Sequence, residues 1–183
     1  MVKVTGSNFN FSIGKYDITE AQWRAVMGRN SSRFNKCDSC AVVYVSWNDV
    51  QDFLHKLDSM TGKHYRLPSE AEWKFAAKGG SKTHNYLYAG SNDINKVAWY
   101  VANSNDRAHP VGEKQPNELG IYDMSGNVWQ WCTSSVPSGP GRCLHGGGYY
   151  IRELYSRVDY HNPESMSPTD RTDAVGFRVA SSL

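Results

Sequence analysis

Every helix signal that can be read in this chain lies within its first eighty residues. Thr19, with Gln22 three residues on, makes a capping-box pair ahead of Trp23 and Val26, and Gly28 offers the left-handed residue that closes such a helix. Ser46 caps a second helix, in which Val50, Phe53, Leu54, Leu57 and Met60 recur at spacings of three and four and predict one buried stripe ending at Gly62. Ser69 and Glu72 make another capping box just after Pro68, and Trp73, Ala76 and Ala77 are expected to face inward until Gly79 and Gly80 stop the run.

From residue 81 onward no amphipathic helix period is found. Short runs, Val97 to Val101, Val128 to Cys132 and Gly176 to Ala180, stand between clusters of Gly, Pro, Asn and Ser, as strands do. The predicted class is therefore α+β: early helices, a small twisted antiparallel sheet late, and much irregular loop. Long loops need anchors, and aromatics make up 13% of the chain, six Trp and eleven Tyr among them. Trp99, Trp129 and Trp131 are the expected pillars, since a buried ring brings about 150–250 Å² of contact and a polar handle for loop carbonyls.

The 183 residues read as a single domain, 1–183, because a chain of that length buries roughly 70% of its unfolded surface. The formal charge is +2, from 20 Lys+Arg against 18 Asp+Glu, with no basic run that could track a phosphate backbone, so no nucleic acid partner is expected. No apolar stretch has the length of a membrane span and the N-terminus holds no secretory apolar core, so direct membrane insertion of this chain is not expected, and neither a leader nor an anchor is read in the chain as given. Cys37 and Cys40 supply half of a tetrahedral zinc site, and Cys132 and Cys143 could complete it; two disulfides or four thiols fit the spacing equally well. The six histidines, 55, 64, 84, 109, 145 and 161, show no ligand spacing. Gly146 to Gly148 precede a strand-like run rather than a helix start, so they do not cradle a phosphate.

Four segments carry a resemblance: Lys15-Tyr-Asp-Ile-Thr-Glu-Ala-Gln-Trp23, Val43-Tyr-Val-Ser-Trp47, Tyr65-Arg-Leu-Pro-Ser-Glu-Ala-Glu-Trp73, and Asn117-Glu-Leu-Gly-Ile-Tyr-Asp-Met-Ser-Gly-Asn-Val-Trp-Gln-Trp131. In this order and spacing the chain resembles the formylglycine-generating (sulfatase-modifying factor) family from about residue 11 to Ala180. The resemblance implies a C-type lectin-like fold of the formylglycine-generating subtype, while function must be argued from the site. In active members two cysteines shortly after an Arg-Gly-Gly-Ser motif bind copper(I) and oxidise a cysteine on a sulfatase peptide, and a soft metal demands thiolates. Here the stretch His145 to Arg157 puts Ile151 and Ser156 at those places. The resemblance thus implies no catalytic residue and no cofactor for catalysis. Some members hold a structural calcium on the segment equivalent to Asp123, Gly126, Val128 and Gln130. Gln130 stands where a Glu is usual, and a neutral amide weakens a hard-cation site.

A branch of the same fold, the variable proteins of diversity-generating retroelements of the treponemal kind, is also similar to the last forty residues. Those proteins diversify adenines in asparagine codons of a C-terminal segment, which can give Tyr, Ile, Arg, Leu, Ser, His, Asp, Thr, Ala or Asn, and never Lys, Gln, Glu, Met or Trp. The aligned positions Tyr150, Ile151, Arg152, Leu154, Tyr155, Tyr160, His161, Asn162, Thr172, Asp173 and Ala174 are all allowed outcomes, whereas Glu153, Glu164 and Met166 would be fixed by the template. The resemblance implies a non-catalytic, receptor- or adhesin-like protein with a variable ligand-binding segment at about 144–180. It implies display at the cell surface or outside the cell, against an unknown protein or surface ligand.

Composition points the same way. Tyr149, Tyr150, Tyr155 and Tyr160, with Arg152 and His161 among them, are the mixture enriched in recognition surfaces, because tyrosine offers wide contact for two torsions. On a strand, alternation would leave about half of them in solvent. Arg157, Arg171 and Arg178 are expected to tie loops to carbonyls or to carboxylates such as Asp170. The alternative function is a divergent formylglycine-generating-type oxidase acting on a peptide or small-molecule thiol.

Overall fold

The three capping boxes form as their sequences dictate. In a computed structural model that describes residues 1–6, 8–31, 37–135, 139–160 and 166–183, they open α1 (Glu20–Met27), α2 (Trp47–Thr61) and α3 (Glu70–Ala77). The hydroxyls of Thr19, Ser46 and Ser69 accept the N–H groups of Gln22, Asp49 and Glu72, and those three side chains accept the cap N–H groups in return. Two otherwise unsatisfied donors are met at each helix start. Gly28 and Gly62 close α1 and α2 in the left-handed region.

Along α2 the stripe buries Val50, Phe53 and Leu54, and Leu57 is partly covered. Met60 departs from the expectation at 63% exposed, since the last turn of this helix runs past the core. On α3, Trp73, Ala76 and Ala77 are buried as expected.

The strands differ from the sequence reading in number and direction. There are two three-stranded sheets. An N-terminal hairpin, β1 (Val2–Gly6) and β2 (Phe9–Ile13), pairs through β2 with the C-terminal β6 (Ala180–Ser182), tying the two ends of the described chain together. The second sheet holds β3 (Trp129–Ser135) between antiparallel β4 (Arg142–His145) and a short parallel β5 (Val175–Gly176). The run Val97 to Val101 is not a strand. Val97 ends a single turn, α4 (Ile94–Val97), capped by the Asp93 carboxylate. Residues 177–179 leave the sheet because their carbonyls serve a neighbouring loop, Phe177 accepting from Ile18 and Val179 from Gly14.

Two aromatic cores result. Trp23 stacks on Phe53 at 5.4 Å, and Phe177 meets both edge-on, joining α1 and α2 to the β5–β6 link. Trp73, Phe11 and Ile13 are buried in the other core, under α3 and the terminal sheet. Trp131 anchors through its indole N–H on the Val45 carbonyl, and Trp47 does the same on Cys132. Trp129 is buried, whereas Trp99 is half-buried and anchors by its faces, stacked on His109 at 3.8 Å with the Lys114 ammonium 3.9 Å from its ring centre.

The cysteines resolve into a disulfide between Cys37 and Cys40 and two buried free thiols, Cys132 and Cys143. A zinc site shared by all four is therefore not built.

Candidate binding face

After β4 the chain turns through Gly146 to Gly148 into a turn at 149–151 and a 3-10 turn at Glu153–Ser156. The expected strand does not form here. Gly147, at φ 80°, packs so closely on this segment that a Cβ would lie 2.6 Å from the Ser156 hydroxyl and 3.0 Å from the Tyr155 carbonyl. The turn is held from below: the Tyr149 N–H donates to Asn127, its carbonyl accepts from the Ser104 hydroxyl, and the Ile151 carbonyl accepts from the Val101 N–H. Fixed backbone on one side leaves side chains projecting on the other.

The adjacent tyrosines divide as expected although the backbone is a turn. Tyr149 is buried and Tyr150 is 47% exposed, with the two rings edge-on at 5.5 Å. Arg152 is exposed, Leu154 is 52% exposed, and Ile151 is half-buried against the first core. Tyr155 and Tyr160 are half-buried, edge-on at 4.9 Å, and Tyr160 leans over Trp129. His161 and Asn162 lie outside the described residues.

The later segment reaches the same place through Trp129. Its N–H donates to the Ala174 carbonyl, and its residue pairs with Val175 in the parallel bridge. Asp173 is exposed, and its charge joins burial in pushing the Tyr149 hydroxyl above its ordinary range, so the two segments share one electrostatic environment. Thr172 is half-buried. Ala174 must be removed from the expected contact set: at 2% exposed it packs inward, and its carbonyl is committed to the sheet.

Tyr44 joins the face without having been expected. It is 49% exposed, its backbone N–H donates to the Thr172 carbonyl at 2.8 Å, and it sits at φ 61°, a region that costs a bulky residue about 1–3 kcal/mol. The left-handed backbone at Tyr44 turns its ring outward while Val43 and Val45 on either side are buried, and no periodicity in the sequence signals it.

At the two positions where the sequence resemblance expects sulfur in oxidising members, Ile151 offers a hydrocarbon, and Ser156 is fully buried with its hydroxyl unpartnered among the described residues. The free thiols lie elsewhere, on β3 and β4. Burial raises Cys132 well above its ordinary value, and burial with the Glu70 carboxylate raises Cys143 to about 11. Both are protonated at neutral pH, which disfavours nucleophilic or metal-binding use. Among the described residues no group of three or more His, Cys, Asp or Glu is placed to hold a metal.

The segment suggested for calcium does not fit that ion. The Gln130 side-chain oxygen accepts from both the Trp73 indole and Arg178 Nε at 2.7 Å, and its amide nitrogen donates to the Asp123 carbonyl at 2.7 Å. Asp123 is buried, with one carboxylate oxygen accepting the Gly112 N–H. Gly126 and Val128 are packed inside the fold. A fully buried positive charge already serves this region: the Arg178 guanidinium lies 3.0 Å from Asp17 and donates to the carbonyls of Gly14 and Tyr122 at 2.9 Å. Oxygens committed to N–H donors beside a guanidinium are not a hard-cation cage. Arg157 and Arg171 are structural too, paired with Asp159 and with Asp49 rather than with Asp170.

The sequence profile of the sulfatase-modifying factor enzyme 1-like domain matches residues 2–183. The chaperone protein LppX of Paenibacillus barcinonensis is 33% identical, over 94% of this chain and 80% of its own length. The formylglycine-generating enzyme of Streptomyces coelicolor is 30% identical over 90% of this chain, and the inactive C-alpha-formylglycine-generating enzyme 2 of Mus musculus is 31% identical over 90%. The chain spans 59% and 56% of the length of those two proteins. Among solved structures, Treponema denticola variable protein 1 superposes with a TM-score of 0.86 at 26% identity, covering 99% of this chain and 91% of that one. The Major Tropism Determinant I1 variant shares the fold alone, with a TM-score of 0.58 at 15% identity over 94% of this chain and 50% of that one. The α+β, C-type lectin-like fold of the formylglycine-generating type is thereby shown.

Proposed function

Because the chain belongs to the family of sulfatase-modifying factor enzyme 1-like domains, whose framework is shared by proteins named as active and as inactive, its role turns on the site, and we propose that it is a non-catalytic ligand-binding member. The observation that carries this reading is the projection of Tyr150, Arg152 and Leu154 into solvent from a turn whose backbone is locked underneath. Exposed aromatic, apolar and guanidinium groups on a rigid support are what recognition surfaces use, because little side-chain or loop ordering opposes association. The similarity to a variable protein supports the reading. Its partner is a protein or surface ligand met at the cell surface or outside the cell, and the Cys37–Cys40 disulfide suits an oxidising compartment. Neither a catalytic cofactor nor a structural calcium enters the proposal.

The competing reading, an oxidase of peptide or small-molecule thiols, draws on the relatives named as formylglycine-generating enzymes. Oxygen uptake by the chain supplied with copper(I) and a cysteine-containing sulfatase peptide separates the two. We expect no uptake above the protein-free rate; sustained turnover would establish the oxidase instead.

A further inference from the structure

Beside the aromatic turn, and sharing Tyr44 with its face, lies an open cleft of about 500 Å³ between the end of α1, the Tyr44–Val45 segment and the 169–171 loop. That volume falls in the range of small-ligand sites. Trp23, packed against Phe53, lines the cleft, and its indole N–H, out of reach of solvent, has no acceptor among the described residues.

The rest of the lining carries two paired and two unpaired charges among the described residues. Arg171 is fixed by two hydrogen bonds to Asp49, at 2.6 and 2.8 Å, so that pair forms a neutral wall. Arg29 on one rim and Asp170 on another have no ion-pair partner among the described residues. The Arg29 rim is built rather than loose: buried Glu20 accepts both the N–H and the hydroxyl of Ser31, at 2.8 and 2.7 Å. Tyr44, held in its unfavourable backbone region, adds an exposed ring.

We propose that this cleft binds a zwitterion, a short peptide with free termini, its carboxylate directed to Arg29 and its ammonium to Asp170. A purely anionic ligand would meet the Asp170 carboxylate, and a purely cationic one would meet the Arg29 guanidinium. A molecule carrying both charges satisfies each, and Val45 and the Tyr44 ring accept an apolar side chain between them. The inference does not depend on how the aromatic turn is used.

Titration with leucyl-alanine, its N-acetylated form and its C-amidated form tests the idea, read by calorimetry and by the Trp23 indole N–H resonance. The free dipeptide is expected to bind and to move that resonance, and each blocked form to bind about tenfold more weakly, the loss of one charged hydrogen bond. Arg29→Ala should weaken the free dipeptide about tenfold without further penalising the amidated form, and Asp170→Asn should do the same with respect to the acetylated form. Both residues are exposed, so the fold is not at stake. Absence of binding at about 10 mM dipeptide, or binding indifferent to Arg29→Ala and Asp170→Asn, would overturn the proposal.

Discussion

Ser156 presses its hydroxyl against Gly147 so closely that a Cβ on the glycine would come within 2.6 Å of it. This contact welds the glycine turn to the 3-10 turn that carries Leu154 and Tyr155. The backbone of Gly147, at φ 80°, is also one that side chains rarely adopt.

Gly147→Ala is therefore expected to destabilise the protein by about 1–3 kcal/mol in denaturant unfolding, through strain and displacement together. Gly139→Ala, which meets open space at ordinary φ, should change stability by no more than about 0.5 kcal/mol. Equal effects at both positions would remove the support assigned to this contact.

Tyr150→Ala combined with Leu154→Ala should leave the unfolding free energy within about 1 kcal/mol of wild type, because both side chains stand in solvent. Phe177→Ala, at the edge-on junction with Trp23 and Phe53, should cost about 3–5 kcal/mol. A cost at the turn as large as that at Phe177 would place the turn residues in the core.

Burial raises the Asp17 carboxyl from its ordinary 3.8 to about 7 despite the Arg178 guanidinium beside it. The folded chain thus holds this proton more tightly than the unfolded chain, and the contribution of Asp17 to stability falls as pH rises from about 4 to about 7, then levels off. Asp123 is shifted in the same direction by burial. Asp17→Asn should accordingly shrink, not abolish, the downward slope of stability against pH; an unchanged slope would show that Asp17 titrates normally.

Cys132 and Cys143, protonated and buried, should resist alkylation at neutral pH in the folded state and react on unfolding, while Cys37 and Cys40 should react only after reduction. Mass spectrometry of the alkylated chain reads both. Rapid native labelling at Cys132 or Cys143 would contradict their placement.

What was legible in the sequence follows the range of the interactions involved. The three helices were readable because capping boxes and glycine stops act within a few residues. The N-terminal hairpin was missed although Val2-Lys3-Val4-Thr5 and Phe9-Asn10-Phe11-Ser12-Ile13 alternate apolar and polar residues; what the sequence does not show is that β2 finds its other partner in β6, at the far end of the chain. The parallel bridge of Trp129 to Val175 is equally non-local, yet it delivers Asp173 to the aromatic turn. Codon reasoning named Tyr150, Arg152 and Leu154, which are exposed, but also Ala174, because residue identity does not reveal which way a side chain points. Tyr44 was hidden inside a family motif, because its outward direction comes from a left-handed backbone that the residue type does not announce.

The central claim, that the aromatic turn grips a ligand, is tested most directly by probing arrays of extracellular proteins and glycans with the wild-type chain and with the Tyr150→Ala, Arg152→Ala, Leu154→Ala triple variant. Wild type should capture specific spots that the variant loses by about a hundredfold in affinity while its melting temperature holds. Capture retained in full by the variant would show that the turn is not the binding face.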